Sequence, residues 1–458
     1  MPSPRRLRGA TLWRGEPALS SIQPVSAPNQ APSRLLQTLA VALLVGWLVL
    51  GARVTATLST GGRGTLAILD PALILLGVAI WCCTPTGRGK IVPARMYWRS
   101  AGPLFLLLLL LPVLGVAHGT HNVRSLYSIA LVAVPWSIFM VGRVAGDPRT
   151  WTRGVTVAIW IHGAYGAAQL MGRLSLLPDA LSGWMAAWDL SSQAAYAESY
   201  IVSQRSTGVL INPNSYGLWS VLAVVFSVFY LRGRTRAISI ALALTGVYAS
   251  ESRTAMAALV VSLIVVALTG RGLDAILKMV ALVAAAAVPL AVLNWFGMLQ
   301  SFFSESTLER MRSGWLVLTG RGVDENLAGR FEAWDLARTM SADHWLGTWG
   351  PPQVTLGQSI DSQYLALFLQ GSLPLLLAYL LLLISPLIVL PKRRRRPFVA
   401  LSVAVATMSL TATAFENMAA MGLVWCALVI DALRLRAYGD ETVRSEVAEV
   451  SHDKVAAA

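Results

Sequence analysis

Residues 373–396 read LPLLLAYLLLLISPLIVLPKRRRR. From Leu373 to Leu390 no side chain is charged; Lys392 to Arg396 then supplies five consecutive cations. An α-helix rises about 1.5 Å per residue, so about 20 apolar residues cross the hydrocarbon core of a bilayer. Lys and Arg accumulate on the cytoplasmic side of such a span. The stretch therefore reads as a membrane helix leaving the bilayer into the cytoplasm, and the basic run reads as a topology anchor.

The same pattern recurs outward from this stretch. Apolar runs fall near 35–55, 65–84, 101–118, 123–142, 152–172, 208–231, 236–250, 254–270, 274–296, 362–390, 397–415 and 417–435, twelve candidate spans in all. The runs 236–250 and 254–270 are short and read as a tight helical hairpin around Ser250–Thr254. Composition agrees: 55% of the 458 residues are hydrophobic and 13% are charged, about half the charge of a soluble domain. The 16 tryptophans suit the headgroup level of a bilayer. The expected fold is all-α and polytopic. A disordered cytoplasmic arm covers 1–34, a transmembrane domain 35–435 and a cytoplasmic tail 436–458. No cleavable signal peptide is read in the arm, which lacks an apolar stretch. Cys82, Cys83 and Cys426 lie in or at the ends of apolar runs, so a disulfide framework is not expected.

With the N-terminus placed in the cytoplasm, every cytoplasmic turn is basic, and both termini lie inside. The net charge of +14 is thus accounted for by topology and gives no reason to expect nucleic acid as a partner. Two long connections, 173–207 and 297–361, fall on the opposite side. Long connections in a compact protein tend to be functional. The second holds two helix-like stretches, Thr307–Leu318 and Gly329–Met340. In the latter, Phe331, Trp334, Ala337 and Met340 recur at intervals of three, as in an amphipathic helix lying on a membrane or over a cavity.

The eleven basic residues left on the outer side are all arginine. A guanidinium fork suits bidentate contact with phosphate or carboxylate and keeps its charge in a partly dry site. Arg205 precedes Gly208 and the turn Asn212-Pro213-Asn214. Arg253 lies in Ser250-Glu251-Ser252-Arg253-Thr254, and Arg330 in Gly329-Arg330-Phe331-Glu332-Ala333-Trp334. Together they would form a cationic clamp for a lipid-linked pyrophosphate. Each also has a plainer reading: Arg205 as an interfacial anchor, Arg253 as the partner of Glu251 or of a helix end, Arg330 as the partner of Glu332 or Asp335.

Four segments in this order resemble the O-antigen ligase and polysaccharide polymerase superfamily. They are Arg205-x-x-Gly208-x-x-x-Asn212-Pro213-Asn214, Ser252-Arg253-Thr254-Ala255 opening an apolar span, Gly329-Arg330-x-x-x-Trp334 in a large outer loop, and Asp361-Ser362-Gln363-Tyr364-Leu365 before Gly371 and a Leu-rich span. The resemblance covers roughly 200–390. It implies a fold of the GT-C glycosyltransferase type with an outer cavity, in the plasma membrane of a bacterium. The implied donor is a glycan on undecaprenyl pyrophosphate, and the implied acceptor is a sugar hydroxyl. No nucleotide sugar, metal or other cofactor is implied. Partners beyond the glycans and membrane lipids would be a flippase and a chain-length regulator. Arg205 and Arg253 would stabilise the charge on the leaving pyrophosphate, with Arg330 on the donor pyrophosphate or the acceptor. Asn212, Asn214, Trp334, Arg338, His344 and Tyr364 would line the substrate.

Family ligases carry His where this chain has Asp361-Ser362, and an Asp there looks more like the polymerases of surface polysaccharide. Asp361 reads either as the group that orients or deprotonates the acceptor or as an N-cap of the following span. Tyr364 reads either as a sugar platform or as an interface marker. His344 is a second candidate base. The runner-up function is ligation of a finished glycan to a lipid or protein. A secondary transporter would require internal repeats and midplane acids, and no repeat is present. His118 and His121, three apart, lack a nearby carboxylate or Cys for a metal site. His162 reads as a core histidine. Asp70 and Glu416 lie near the outer ends of spans, where acids suggest function.

Overall fold

The structure is a computed structural model. It describes residues 34–50, 55–57, 65–67, 69–83, 92–120, 127–144, 147–192, 205–210, 212–268, 325–357, 360–390 and 394–434, with a few positions between 309 and 316. The expected arm up to residue 33, the tail, the candidate span 274–296, and all of Thr307–Leu318 but four positions lie outside the described residues; Arg34, assigned to the arm, opens the first helix.

The architecture is helical. The helices are α1 (Arg34–Leu50), α2 (Leu69–Cys83), α3 (Val92–Ala117), α4 (Tyr127–Val144), α5 (Pro148–Arg173), α6 (Asp179–Ser192), α7 (Pro213–Tyr230), α8 (Gly233–Ser250), α9 (Arg253–Leu268), α10 (Glu325–Asp343), α11 (Gln363–Val389), α12 (Arg395–Met408) and α13 (418–434). Local chemistry sets several starts. Asp147 caps α5, its carboxylate accepting from the Arg149 and Thr150 amides at 3.0 and 3.1 Å, and Pro148 follows at the first helical position. Burial alone would raise the Asp147 pKa; the Thr150 hydroxyl and these two amides outweigh it and hold it below the usual value. Asn212 and Pro213 repeat the device at α7.

Two helices form the axis. In α7, Tyr216, Trp219 and Phe226 are almost wholly buried, and in α13 Leu423, Cys426 and Ile430 are too. Both are apolar around most of their circumference, which is why they sit inside. Around them α7 packs on α8, α9 on α12, α3 on α11, α2 on α4, and α5 on α8. The outer helices turn large apolar side chains outward: Leu75, Leu106, Val113, Leu268, Leu377 and Ile388 are all more than half exposed. Among the described residues, one helix, Gln363–Ile388, is long and apolar enough to cross a membrane; shorter apolar helices accompany it.

Three expected spans begin or end elsewhere. The start of the run 65–84 is not helical, because Thr65–Ala67 pairs antiparallel with Thr55–Thr57. Three of these six residues are β-branched threonines, which favour extended backbone. The run 208–231 opens as a 3₁₀ turn, Gly208–Leu210, before the Asn212-Pro213 cap starts α7. The run 397–415 stops at Met408. The connection 173–207 contains a helix, α6, which buries Met185.

The run 362–390 is also not one continuous helix. Gly371 (φ −135, ψ 22) and Ser372 (φ 54, ψ −153) break α11, two positions before Pro374, whose ring excludes a regular helix across the break. Carbonyls released by the break find partners in the preceding loop. The Thr348 and Trp349 amides donate to Leu369 O and Gln370 O, both at 2.8 Å. Gly347 (φ +94) allows this approach, since a Cβ there would stand 2.5 Å from Gln370 O. Backbone groups freed by such a break are tolerated in the interior because the protein satisfies them in this way.

Candidate functional site

Arg205 opens the short segment 205–210. The Ser206 amide donates to Ala249 O at 2.9 Å, docking the segment on the end of α8. Gln169 of α5 holds the next two residues: its Oε1 accepts from the Thr207 and Gly208 amides at 3.1 and 2.8 Å, and its Nε2 donates to the Thr207 hydroxyl at 3.2 Å. So fixed, the Arg205 guanidinium donates from Nε to Ser250 O at 2.9 Å and from Nη2 to Asn214 Oδ1 at 3.0 Å. Asn212 turns Asn214 toward it by capping α7, accepting from the Asn214 and Ser215 amides at 2.8 and 3.2 Å.

Glu251 closes α8 in the left-handed region (φ 48), and Ser252 begins α9, its hydroxyl accepting from the Ala255 amide at 3.3 Å. Arg253 is therefore presented at a helix N-terminus, as Asn214 is. Both ends direct partial positive charge outward, a setting suited to an anion. Thr254 is tied to Thr411 by a hydroxyl–hydroxyl hydrogen bond of 2.5 Å.

Arg330 arrives from α10. Ala333 and Ala337 are buried, and Trp334 and Met340 pack with Ile360, Leu365 and Leu369. That face carries Arg330 inward. Phe331, expected on it, is 53% exposed. Arg330 Nε meets Asp361 Oδ2 at 3.2 Å. The helix after Asp361 starts at Gln363 with Ser362 at the cap position, so Asp361 stands one residue before the cap.

These segments converge on one cleft of about 90 Å³, lined by Arg205, Asn214, Glu251, Ser252, Arg253, Thr254 and Arg330. Three guanidiniums from three separate segments face one carboxylate there, with a second, Asp361, bound to Arg330. Such a set can bind a multiply charged anion and stabilise charge developing on it.

Other sequence candidates lie elsewhere. Arg338 points outward and pairs with Asp335 at 3.1 Å. His344 is exposed past the end of α10. Tyr364 donates to Ala406 O at 2.9 Å, binding α11 to α12 beside Tyr379. His118 is exposed, and its neighbour His121 lies outside the described residues. His162 is buried against Trp219, its Nε2 at 3.0 Å from Leu48 O. Asp70 accepts from the Trp47 indole at 2.6 Å, away from the cleft. Sequence reading passed over Glu251 as a cleft residue, and over Gln169 and Arg173. The available signal was their spacing of four on α5, which puts both on one helix face.

Gly208 tests the arrangement of the Arg205 segment. Its φ is +55, and a Cβ would lie 2.4 Å from Tyr216 Cδ2. Left-handed backbone alone costs a non-Gly residue about 1–2 kcal/mol, and displacing the buried Tyr216 ring adds to it. Gly208→Ala is expected to lower the thermal midpoint of the purified protein and its activity together. A normal midpoint with full activity would show that Gly208 is not held in this conformation.

A scan against protein-family models found no match, and a search of curated proteins found none.

Proposed function

We propose that the protein is a polytopic membrane glycosyltransferase. It polymerises oligosaccharide repeats carried on a lipid pyrophosphate, at the outer face of the bacterial plasma membrane, with both termini in the cytoplasm. The observation that carries this reading is the cleft itself, where Arg205, Arg253 and Arg330 meet although the sequence separates them widely. The outward-facing apolar side chains of the other helices suit lipid, and the positive-inside distribution of charge suits this orientation. The motif resemblance to the O-antigen ligase and polysaccharide polymerase superfamily supplies the donor class.

The chemistry follows from the groups present. An acceptor hydroxyl oxygen bonds to the donor's anomeric carbon as the bond from that carbon to the pyrophosphate oxygen breaks. The lipid pyrophosphate leaves with the electron pair. Arg205, preorganised by its bonds to Ser250 O and Asn214 Oδ1, and Arg253, at the start of α9, stabilise the charge gathering on the leaving oxygen. Asp361, half exposed and steered by Arg330, takes the hydroxyl proton.

Arg330→Ala at wild-type protein level tests this in cells. Removing one charge-assisted contact costs about 1.5–3 kcal/mol, a loss of about 10- to 150-fold in rate. Long polymer is expected to disappear while single lipid-linked repeats accumulate. Accumulation of free lipid-linked polymer would make the protein a ligase. An unchanged profile would reject the site.

A further inference from the structure

Glu251 is a puzzle in a cleft that binds anions. Its side chain is 5% exposed, it lines the same space as Arg205, Arg253 and Arg330, and a carboxylate there repels the proposed ligand. Backbone geometry does not ask for it either. A left-handed position at a helix C-terminus favours Gly or Asn. What the side chain does make is an ion pair with Arg173, Nη1 to Oε1 at 2.5 Å. Arg173 is the last residue of α5 and is 14% exposed in its side chain. It does not line the cleft.

We infer that Arg173 is a positioning and charge-compensating residue: it neutralises Glu251 and draws it toward α5, so that the cleft stays cationic toward a pyrophosphate-class anion. This rests on the anion-binding reading above. One turn earlier on the same helix, Gln169 fixes the segment that carries Arg205. Arg173 thus serves the 251–254 turn as Gln169 serves segment 205–210, and α5 aligns the two arginine-bearing segments from behind. The ion pair lets the chain keep the Glu251 turn anchored without cancelling Arg205 and Arg253.

The test uses the full-length protein in lipid nanodiscs, with inorganic pyrophosphate as the probe and calorimetry as the readout. Arg173→Gln removes the cation that pairs with Glu251 from outside the cleft and is expected to weaken pyrophosphate binding at least tenfold. Arg173→Gln combined with Glu251→Gln removes both charges and is expected to restore affinity to within about threefold of wild type. A purely structural role for the pair, or direct contact of Arg173 with the anion, predicts no such rescue. A double variant as weak as Arg173→Gln therefore overturns the inference, and so does wild-type affinity in Arg173→Gln. Should Arg173→Gln fail to fold, Glu251→Gln alone decides: tighter binding supports the inference and weaker binding overturns it. Failure of the underlying reading looks different. The wild type then binds no pyrophosphate and Arg205→Ala changes nothing, which removes this inference as well.

Discussion

Arg205→Ala is expected to reduce kcat/KM for the lipid-linked donor by about 10²–10³, or about 2.7–4 kcal/mol, the usual effect of deleting one preorganised donor aimed at developing negative charge. Arg205 is half-buried and already holds Ser250 O and Asn214 Oδ1 with two arms of its fork. Its direction is set before substrate arrives, so little reorganisation is needed during reaction. Arg205→Lys is expected to recover little of the loss. An ammonium is a point charge on a flexible stem and cannot keep two divergent contacts while facing the cleft. Asn214→Ala removes one of the two restraints and should cost less than Arg205→Ala. Steady-state assay of the purified protein with a lipid-pyrophosphate-linked oligosaccharide measures all three. Equal activity of Arg205→Lys and wild type would show that charge alone matters at this position.

The second large effect concerns stability and lies at the opposite end of the bundle. Asp431 of α13 has a side chain 3% exposed and accepts from Arg394 Nη1 at 2.8 Å and from the Tyr230 hydroxyl at 3.1 Å. Arg434, one turn on, lies 4.0 Å away and stacks over the Tyr230 ring. The carboxylate therefore ties α7, α12 and α13 together. Removing one member of a buried ion pair typically costs about 3–5 kcal/mol, because the other is left uncompensated. Here Arg394 and Arg434 are a fifth to a third exposed and can turn toward water, which favours the lower figure. Asp431→Ala is expected to destabilise by about 3 kcal/mol, read as a clear drop in thermal midpoint and in protein accumulating in membranes. Asp431→Ala with Arg394→Met should recover part of it, since the uncompensated charge is gone. A midpoint unchanged in Asp431→Ala would show that the cluster contributes nothing. The result also revises the basic run 392–396, read from sequence as an anchor only. Arg394 is in addition a structural partner, and its acid was unremarked because it lies 37 positions away within an apolar stretch.

The helical class, the approximate position of most helices, and the three arginines with their flanking Asn, Ser and Gly were all legible in the sequence. These features are local. Apolar runs, a cap before Pro213 and a fork-shaped cation are properties of neighbouring residues, and no tertiary information is needed to see them. The sequence also suggested that α10 is amphipathic. Of the residues its repeat of three picked, Trp334, Ala337 and Met340 do pack with Ile360 and Leu369, whereas Phe331 is turned outward and Arg330 is carried inward in its place. Periodicity describes a helix's own surface; the neighbour that covers part of it comes from another stretch of chain.

Only the tertiary structure decided the rest. It gave Glu251 to Arg173, 78 positions away, and Asp361 to Arg330, 31 positions away. It turned Arg338 and His344 out of the cleft and broke α11 at Gly371 and Ser372, where amides of Thr348 and Trp349 were at hand for the exposed carbonyls. Sequence fixes what each side chain is able to offer. Which of several possible partners receives it depends on distances between segments, and those exist only once the helices have packed.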